Sequence, residues 1–297
     1  MTGILLLDKP LGMSSNHALQ RVRHLLGGVK AGHVGSLDPL ATGMLPICLG
    51  EATKIAGEIL ARRKHYQFTV KLGDRTSTGD AEGAVVESAA VPHFDRTAIE
   101  TVLKRFVGRQ CQTPPMHSAI KQSGRPLYKL AREGKEVARL PREIEIFELM
   151  LAGLQGAELQ LATLCSKGTY VRVLAEDVAR ALGTCGHVIK LHRTYVEPFA
   201  TEPMESLESI AHGPRILPAD RGVEHLPAVR LSIESAGRLM HGQAVALEIE
   251  IVAGRVRLYD QKGQFLGIGE ASAGLVRPRR LFALVAGQGP RVESRAL

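Results

Sequence analysis

The sequence predicts an α+β protein: a mixed, largely antiparallel central sheet flanked by helices, with a small C-terminal β-barrel-like module. Three observations lead there. Strand patterns (66–72, 143–146, 158–165) and helical patterns (14–28, 95–108) follow one another irregularly, without a βαβ repeat. A turn-rich stretch from Gly213-Pro214 to Leu226-Pro227 marks a boundary. Beyond it, roughly 70 residues read as short strands and turns. The expected division is 1–225 and 226–297, and 297 residues suffice for one large and one small domain.

Taken in order, Met1 to Pro10 reads as a short buried strand ended by Lys9-Pro10. It lacks a basic n-region and reaches Asp8 too early for a signal peptide, so a cytoplasmic location is expected. No apolar run approaches the roughly 20 residues of a membrane span. Ser14 to Gly28 is a helix capped by Ser14 or Ser15, with Ala18, Val22, Leu25 and Leu26 on one face and Gly27-Gly28 as its stop. Gly32 to Gly43 follows as a glycine-rich, non-repetitive loop. Tyr66–Leu72 alternates as a half-buried strand, and Gly73 to Asp80 is a polar loop.

Asp95 caps a helix whose apolar face is Ile99, Val102, Leu103 and Phe106, with Gly108 as the stop. Strand patterns return at Glu143–Ile146 and Glu158–Cys165, and a helix runs through Leu182 to Gly183. In the C-terminal module, Arg255 to Gly269 forms two strands around an Asp260-Gln261-Lys262-Gly263 turn. Arg277-Pro278-Arg279-Arg280 then leads into a short strand at Leu281–Val285.

The net charge of +8 and the pI near 9.5 favour an anionic partner, of which nucleic acid is the commonest. The charge is uneven. Residues 114–142 carry seven basic side chains (Lys121, Arg125, Lys129, Arg132, Lys135, Arg139, Arg142) and two acids, a net +5. A loop or short helix projecting a basic face fits this segment, as does a merely solvated one. Aromatic content of 4% without Trp argues against a base-stacking sheet platform. Cys48, Cys111, Cys165 and Cys185 have no ligand-like spacing, so buried free thiols are expected, with neither a disulfide framework nor a zinc site.

The stretch around Asp38 is the candidate site. Pro39 keeps Asp38 out of helical geometry, which fixes one carboxylate on a tight loop five residues after His33. The competing reading is an Asx turn, in which the aspartate caps its own loop.

Four segments in order carry a resemblance. They are Gly3 to Ser15 (with Lys9-Pro10-Leu11-Gly12-Met13-Ser14), Gly32 to Gly43 continuing to Lys54, Lys64-His65-Tyr66 with Leu72-Gly73 and Thr76 to Asp80, and Ser166 to Arg172 with Leu191-His192-Arg193-Thr194. Together they resemble the TruB family of tRNA pseudouridine-55 synthases along nearly the whole chain. Gly267-Ile268-Gly269 and Arg277 to Phe282 resemble a PUA domain.

The resemblance implies a pseudouridine synthase fold and isomerisation of one T-loop uridine of tRNA to pseudouridine, by base flipping and without cofactor or metal. Asp38 matches the catalytic aspartate, and Arg172 the arginine that pairs with it. Tyr66 matches the tyrosine that stacks on the flipped uracil, Leu191 the apolar residue closing the uracil pocket, and His33 the histidine that packs against flipped-out nucleotides. Lys9 and Pro10 match a motif that buttresses the loop. Lys121, Arg125, Lys129 and Arg132 fall in the family's RNA-binding insertion, and the PUA-like module corresponds to the part that holds the acceptor end. A monomer is expected.

Three positions depart from the family pattern. Val34 stands where threonine is usual, His117 where tyrosine is usual, and His192 where arginine is usual. Attack by Asp38 at C6 or at C1′, and a glycal route, all stay open. Two other readings compete: a guide-RNA-dependent catalytic subunit, and a tRNA-binding folding chaperone.

Overall fold

The computed structural model describes residues 1–283, apart from 119, 123 and 248–251. Its main element is an eight-stranded mixed sheet. The strands are β1 (Gly3–Lys9), β2 (Ala31–His33), β3 (Ala41–Leu49), β4 (Lys64–Leu72), β5 (Gly108–Gln112), β6 (Arg142–Gln155), β7 (Glu158–Cys165) and β8 (Gly186–Val196). Their spatial order is β1-β3-β8-β4-β7-β6-β5, with β2 also paired to β3. All pairings are antiparallel except β3 with β8, which run parallel where Leu191, His192 and Arg193 meet Ala41, Thr42 and Gly43. That junction lies under the candidate site.

The run Ile4-Leu5-Leu6-Leu7 is uninterrupted because β1 is covered on both faces. Ile4 and Leu6 enter one core cluster, while Leu5 and Leu7 pack with Ala18, Leu19 and Val22 of helix α1 (Ser15–Leu25) in another. Ser14 caps α1 by accepting from the His17 N–H at 3.2 Å, and Gly27 and Gly28 end it with φ of +69° and +81°. On β4, Tyr66, Phe68, Val70 and Leu72 face the largest cluster. Helices α2 (Arg96–Lys104) and α4 (Val171–Ala181) close that cluster with Ile99, Leu103, Val171, Leu174 and Val178. The short helix α3 (Leu127–Arg132) and a small hairpin, Lys121–Gln122 with Arg125–Pro126, form the basic segment between them.

Several boundaries differ from the sequence reading. The glycine-rich stretch is a loop only over 34–40, because its ends pair as β2 and β3. The segment after Leu72 contains a small hairpin, Asp74–Thr76 with Val85–Ser88, and is not all loop. Helix α2 ends at Lys104, and Gly108, at φ +111°, opens β5. β6 is 14 residues long, and its register shifts obscure the alternation after Ile146. Cys111 is exposed; the other three thiols are buried.

From Ala228 onward the chain builds a separate five-stranded sheet with its own core around Val229, Leu239, Val256 and Leu258. Gly254–Tyr259 and Phe265–Ser272 are the two strands expected around the Asp260 turn. The basic run Arg277 to Arg280 lies within the strand Leu275–Leu281 and does not precede one; Val285 lies outside the described residues. Ile268 of this sheet and Phe282, just past its last strand, pack into the same cluster as Ile4 and Met44. Among the described residues, no helix is long and apolar enough to cross a membrane.

Candidate active site

A cavity of about 340 Å³ opens where the 34–40 loop, β4, β8 and the start of α4 converge. Asp38, Tyr66, Arg172 and Leu191 all line it, so residues as far apart in sequence as 38 and 191 form one wall. Arg172 is the second residue of α4, yet its side chain is only 5% exposed. A cation is disfavoured at that end of a helix, and specific acceptors compensate it. Its Nε meets Asp38 Oδ2 at 3.0 Å and its Nη1 meets Asp80 Oδ2 at 3.5 Å. Nη1 also donates to the Thr78 carbonyl and Nη2 to the His117 carbonyl, both at 2.7 Å.

Asp38 is thus oriented by Arg172 and does not cap its own loop. The surrounding protein raises the Asp38 carboxyl above the ordinary aspartate range; Arg172 opposes the rise, and Asp80 adds to it. One edge of the carboxylate faces the open cavity, where water limits the effect. Asp80 itself is buried and held by the Thr78 hydroxyl at 2.5 Å and the Glu82 N–H at 3.1 Å.

Tyr66 presents its phenol to the cavity, and burial raises that hydroxyl's pKa. Beside it lies Arg193, buried, donating from Nε to Met44 O at 2.7 Å and from Nη2 to Gly35 O at 2.9 Å. Its Nη1 stands 3.5 Å from the Tyr66 oxygen. Sequence reasoning assigns no role to Arg193 or Asp80; the signal for each is a charged residue beside apolar strand or loop residues. Gly43 explains why the parallel junction needs glycine: a Cβ there would lie 2.3 Å from the Arg193 carbonyl oxygen, and φ is +96°.

Lys9 is fully buried, and its ammonium donates to the carbonyls of Pro10 (2.9 Å) and Met13 (2.6 Å), with Pro39 O at 3.4 Å. It ties the end of β1 to the Asp38 loop. Burial holds its pKa down at about 8. Pro10, half-buried, contributes its carbonyl to that clamp.

His33 ends β2 and is not among the cavity-lining residues; its Nδ1 is buried without a hydrogen-bond partner. Burial, then Arg193, lowers its pKa. His117 lines the cavity. His192 lies across Leu191 in a wider groove of about 770 Å³, sharing a 2.9 Å hydrogen bond with the Thr42 hydroxyl. Val34 is buried in the core, where an added hydroxyl would need a partner. Of the basic segment, Lys121, Lys129 and Arg132 are exposed, and Arg125 is paired with Glu133. Among the described residues, no group of three or more His, Cys, Asp or Glu is placed to hold a metal ion.

The family described as TruB family pseudouridylate synthase (N terminal domain) matches residues 23–171, half of the chain. The chain belongs to the TruB family. Two further TruB C-terminal descriptions match 172–224 and 227–282. TruB relatives include a tRNA pseudouridine synthase B from Stutzerimonas stutzeri (strain A1501), 47% identical over 95% of this chain and 96% of that protein. Another, from Hydrogenovibrio crunogenus, is 44% identical over 95% of this chain and 94% of its own.

Among solved structures, a Cbf5-Nop10-Gar1 complex is similar with a TM-score of 0.71 and 26% identity, covering 91% of this TruB chain and 78% of that one. An H/ACA RNP bound to a substrate RNA containing 2′-deoxyuridine matches with a TM-score of 0.73 at 22% identity, covering 95% and 85%. This last likeness concerns the fold.

Proposed function

We propose that this protein isomerises uridine to pseudouridine in tRNA, at the T-loop position 55, with Asp38 as the reacting carboxylate. The observation that carries the reading is the Asp38–Arg172 pair at the wall of a cavity that also presents Tyr66 and Leu191. The reaction moves the glycosidic bond from N1 to C5. It needs an ionised carboxylate beside a flipped base, a flat side chain against the ring, and apolar walls that keep the detached base from escaping.

In this reading Arg172 keeps Asp38 ionised and aimed, Tyr66 faces the ring, and Leu191 closes the pocket. Lys9 and Pro10 brace the loop, and His33 meets neighbouring flipped nucleotides. Lys121, Arg125, Lys129 and Arg132 contact phosphates of the T arm, and the domain after residue 225 holds the acceptor end. The protein acts as a monomer in the cytoplasm.

The stand-alone form is favoured over a guide-dependent one by the relatives, whose names are those of tRNA pseudouridine synthases. Purified protein incubated with an isolated T-arm stem-loop, and no guide RNA, tests this. Pseudouridine in that RNA is the expected product. Product only after a guide is added would overturn the stand-alone reading.

A further inference from the structure

Two buried cations in the cavity wall have no carboxylate of their own. Arg193 is 1% exposed and Lys64 is 6% exposed, and both line the cavity. They crowd the same point: a Cβ built on Gly35 would lie 3.4 Å from Arg193 Nη1 and 3.5 Å from Lys64 Cε. Among the described residues neither makes an ion pair. Glu197, whose field reaches Lys64, is engaged by Arg62 and Arg63.

Backbone carbonyls hold these side chains in place without neutralising them. Lys64 Nζ donates to Leu60 O at 2.9 Å and Arg62 O at 2.7 Å; Arg193 uses Met44 O and Gly35 O. A guanidinium has five N–H groups and an ammonium three, so donors remain on both. Burying like charges together without an anion is costly. The cost shows at Lys64, whose pKa is held down at about 8 by burial and then by Arg193. Such an arrangement suits an anion that forms inside the cavity.

We propose that Arg193 and Lys64 hold the negative charge that the uracil ring acquires during isomerisation. This rests on the reading of the cavity given above. If Asp38 attacks C1′, or a glycal forms, the C1′–N1 bond breaks with its electron pair on N1, spread over O2 and O4. If Asp38 adds to C6, the C5–C6 pair moves towards O4 before that bond breaks. Either way the base is anionic before C5 uses its pair to bond to C1′. Asp38 is released in the same sequence: displaced from C1′ by C5, eliminated from C6, or, in the glycal route, freed of the proton it took when that returns to C2′. C5 then loses a proton and N1 gains one, so no net proton or electron is consumed. Cations already fixed in place stabilise such charge more than water does, because water must reorient around it. Arg172 does not serve here, because Asp38, Asp80 and two carbonyls occupy it.

The test compares single-turnover rates on T-arm stem-loops carrying uridine or 5-fluorouridine at the target, read as loss of the starting nucleoside. Fluorine itself stabilises the ring anion, so the fluorinated substrate depends less on protein charge. Arg193→Gln is expected to slow the uridine substrate about 100-fold, and the fluorinated one about ten-fold less severely. Lys64→Met follows the same pattern with a smaller loss, and Arg193→Lys recovers part of the rate. If Arg193→Gln does not fold, the Lys64→Met comparison decides alone. Equal losses on both RNAs, with stem-loop affinity retained, would reduce both residues to packing and overturn the proposal. Wild-type protein that converts neither RNA overturns the isomerisation reading itself, and this proposal with it.

Discussion

Arg172 Nε lies 3.0 Å from Asp38 Oδ2, while its Nη atoms are held by the carbonyls of Thr78 and His117. One guanidinium therefore joins the 34–40 loop, the segment after β4 and the entrance of the basic segment.

Arg172→Gln is expected to lower turnover about 100-fold, with stem-loop affinity little changed. Burial already raises the Asp38 carboxyl, and Arg172 is the main opposing influence. Its loss raises that pKa further, so the rising limb of the pH–rate profile moves to higher pH. The defect is then larger in mildly acidic than in alkaline buffer. A defect independent of pH would mean that Arg172 only orients the loop.

Lys64 yields a prediction about stability. Its folded pKa is about 8 against an ordinary 10.5, so the folded state releases its proton first. The contribution is complete above 10.5 and is lost as pH falls through about 8. Wild type should therefore gain on Lys64→Met, on the order of 1 kcal/mol per pH unit, across that window. Urea denaturation of both proteins measures the difference. A gap that stays flat with pH would contradict the burial argument.

Gly43→Ala places a methyl 2.3 Å from the Arg193 carbonyl and a side chain at φ +96°. A loss of about 2 kcal/mol or more in stability is expected, because the Arg193 carbonyl is backbone and cannot step aside as the His192 ring can. Thermal unfolding checks it. An unperturbed melting temperature would show that the parallel β3–β8 junction can open.

How much of this was legible beforehand depended on range. The α1 cap at Ser14, the apolar face of α2 and the turn at Asp260 are local, and residue pattern sufficed for them. Asp38, Tyr66, Arg172 and Leu191 were named through the family resemblance, since nothing local distinguishes a cavity-lining tyrosine from a core one. The clamp of Lys9 on Pro39 and the Arg193–Gly35 bond span 30 and 158 residues, and the strand pairings that create them leave no local signature. The full length of β6 was hidden by its register shifts. The function of Gly43 depended on a neighbour 150 residues away in sequence that only the parallel junction brings close.

For RNA binding, Lys121, Lys129 and Arg132 are exposed, whereas Arg125 already pairs with Glu133. Neutralising those three together should reduce the slope of log affinity against log salt by about 2. Neutralising Arg125 alone should change it little. Filter binding or fluorescence anisotropy over a salt series measures the slopes. An unchanged slope for the triple variant would put the phosphate contacts elsewhere.

Asp38→Asn tests most directly whether the Asp38 carboxylate performs the isomerisation. The amide keeps the side chain's size and removes its charge. In a single-turnover assay on full-length tRNA, the account predicts no detectable pseudouridine, with tRNA affinity within about two-fold of wild type. A variant that converts the tRNA at even a few per cent of the wild-type rate would contradict it.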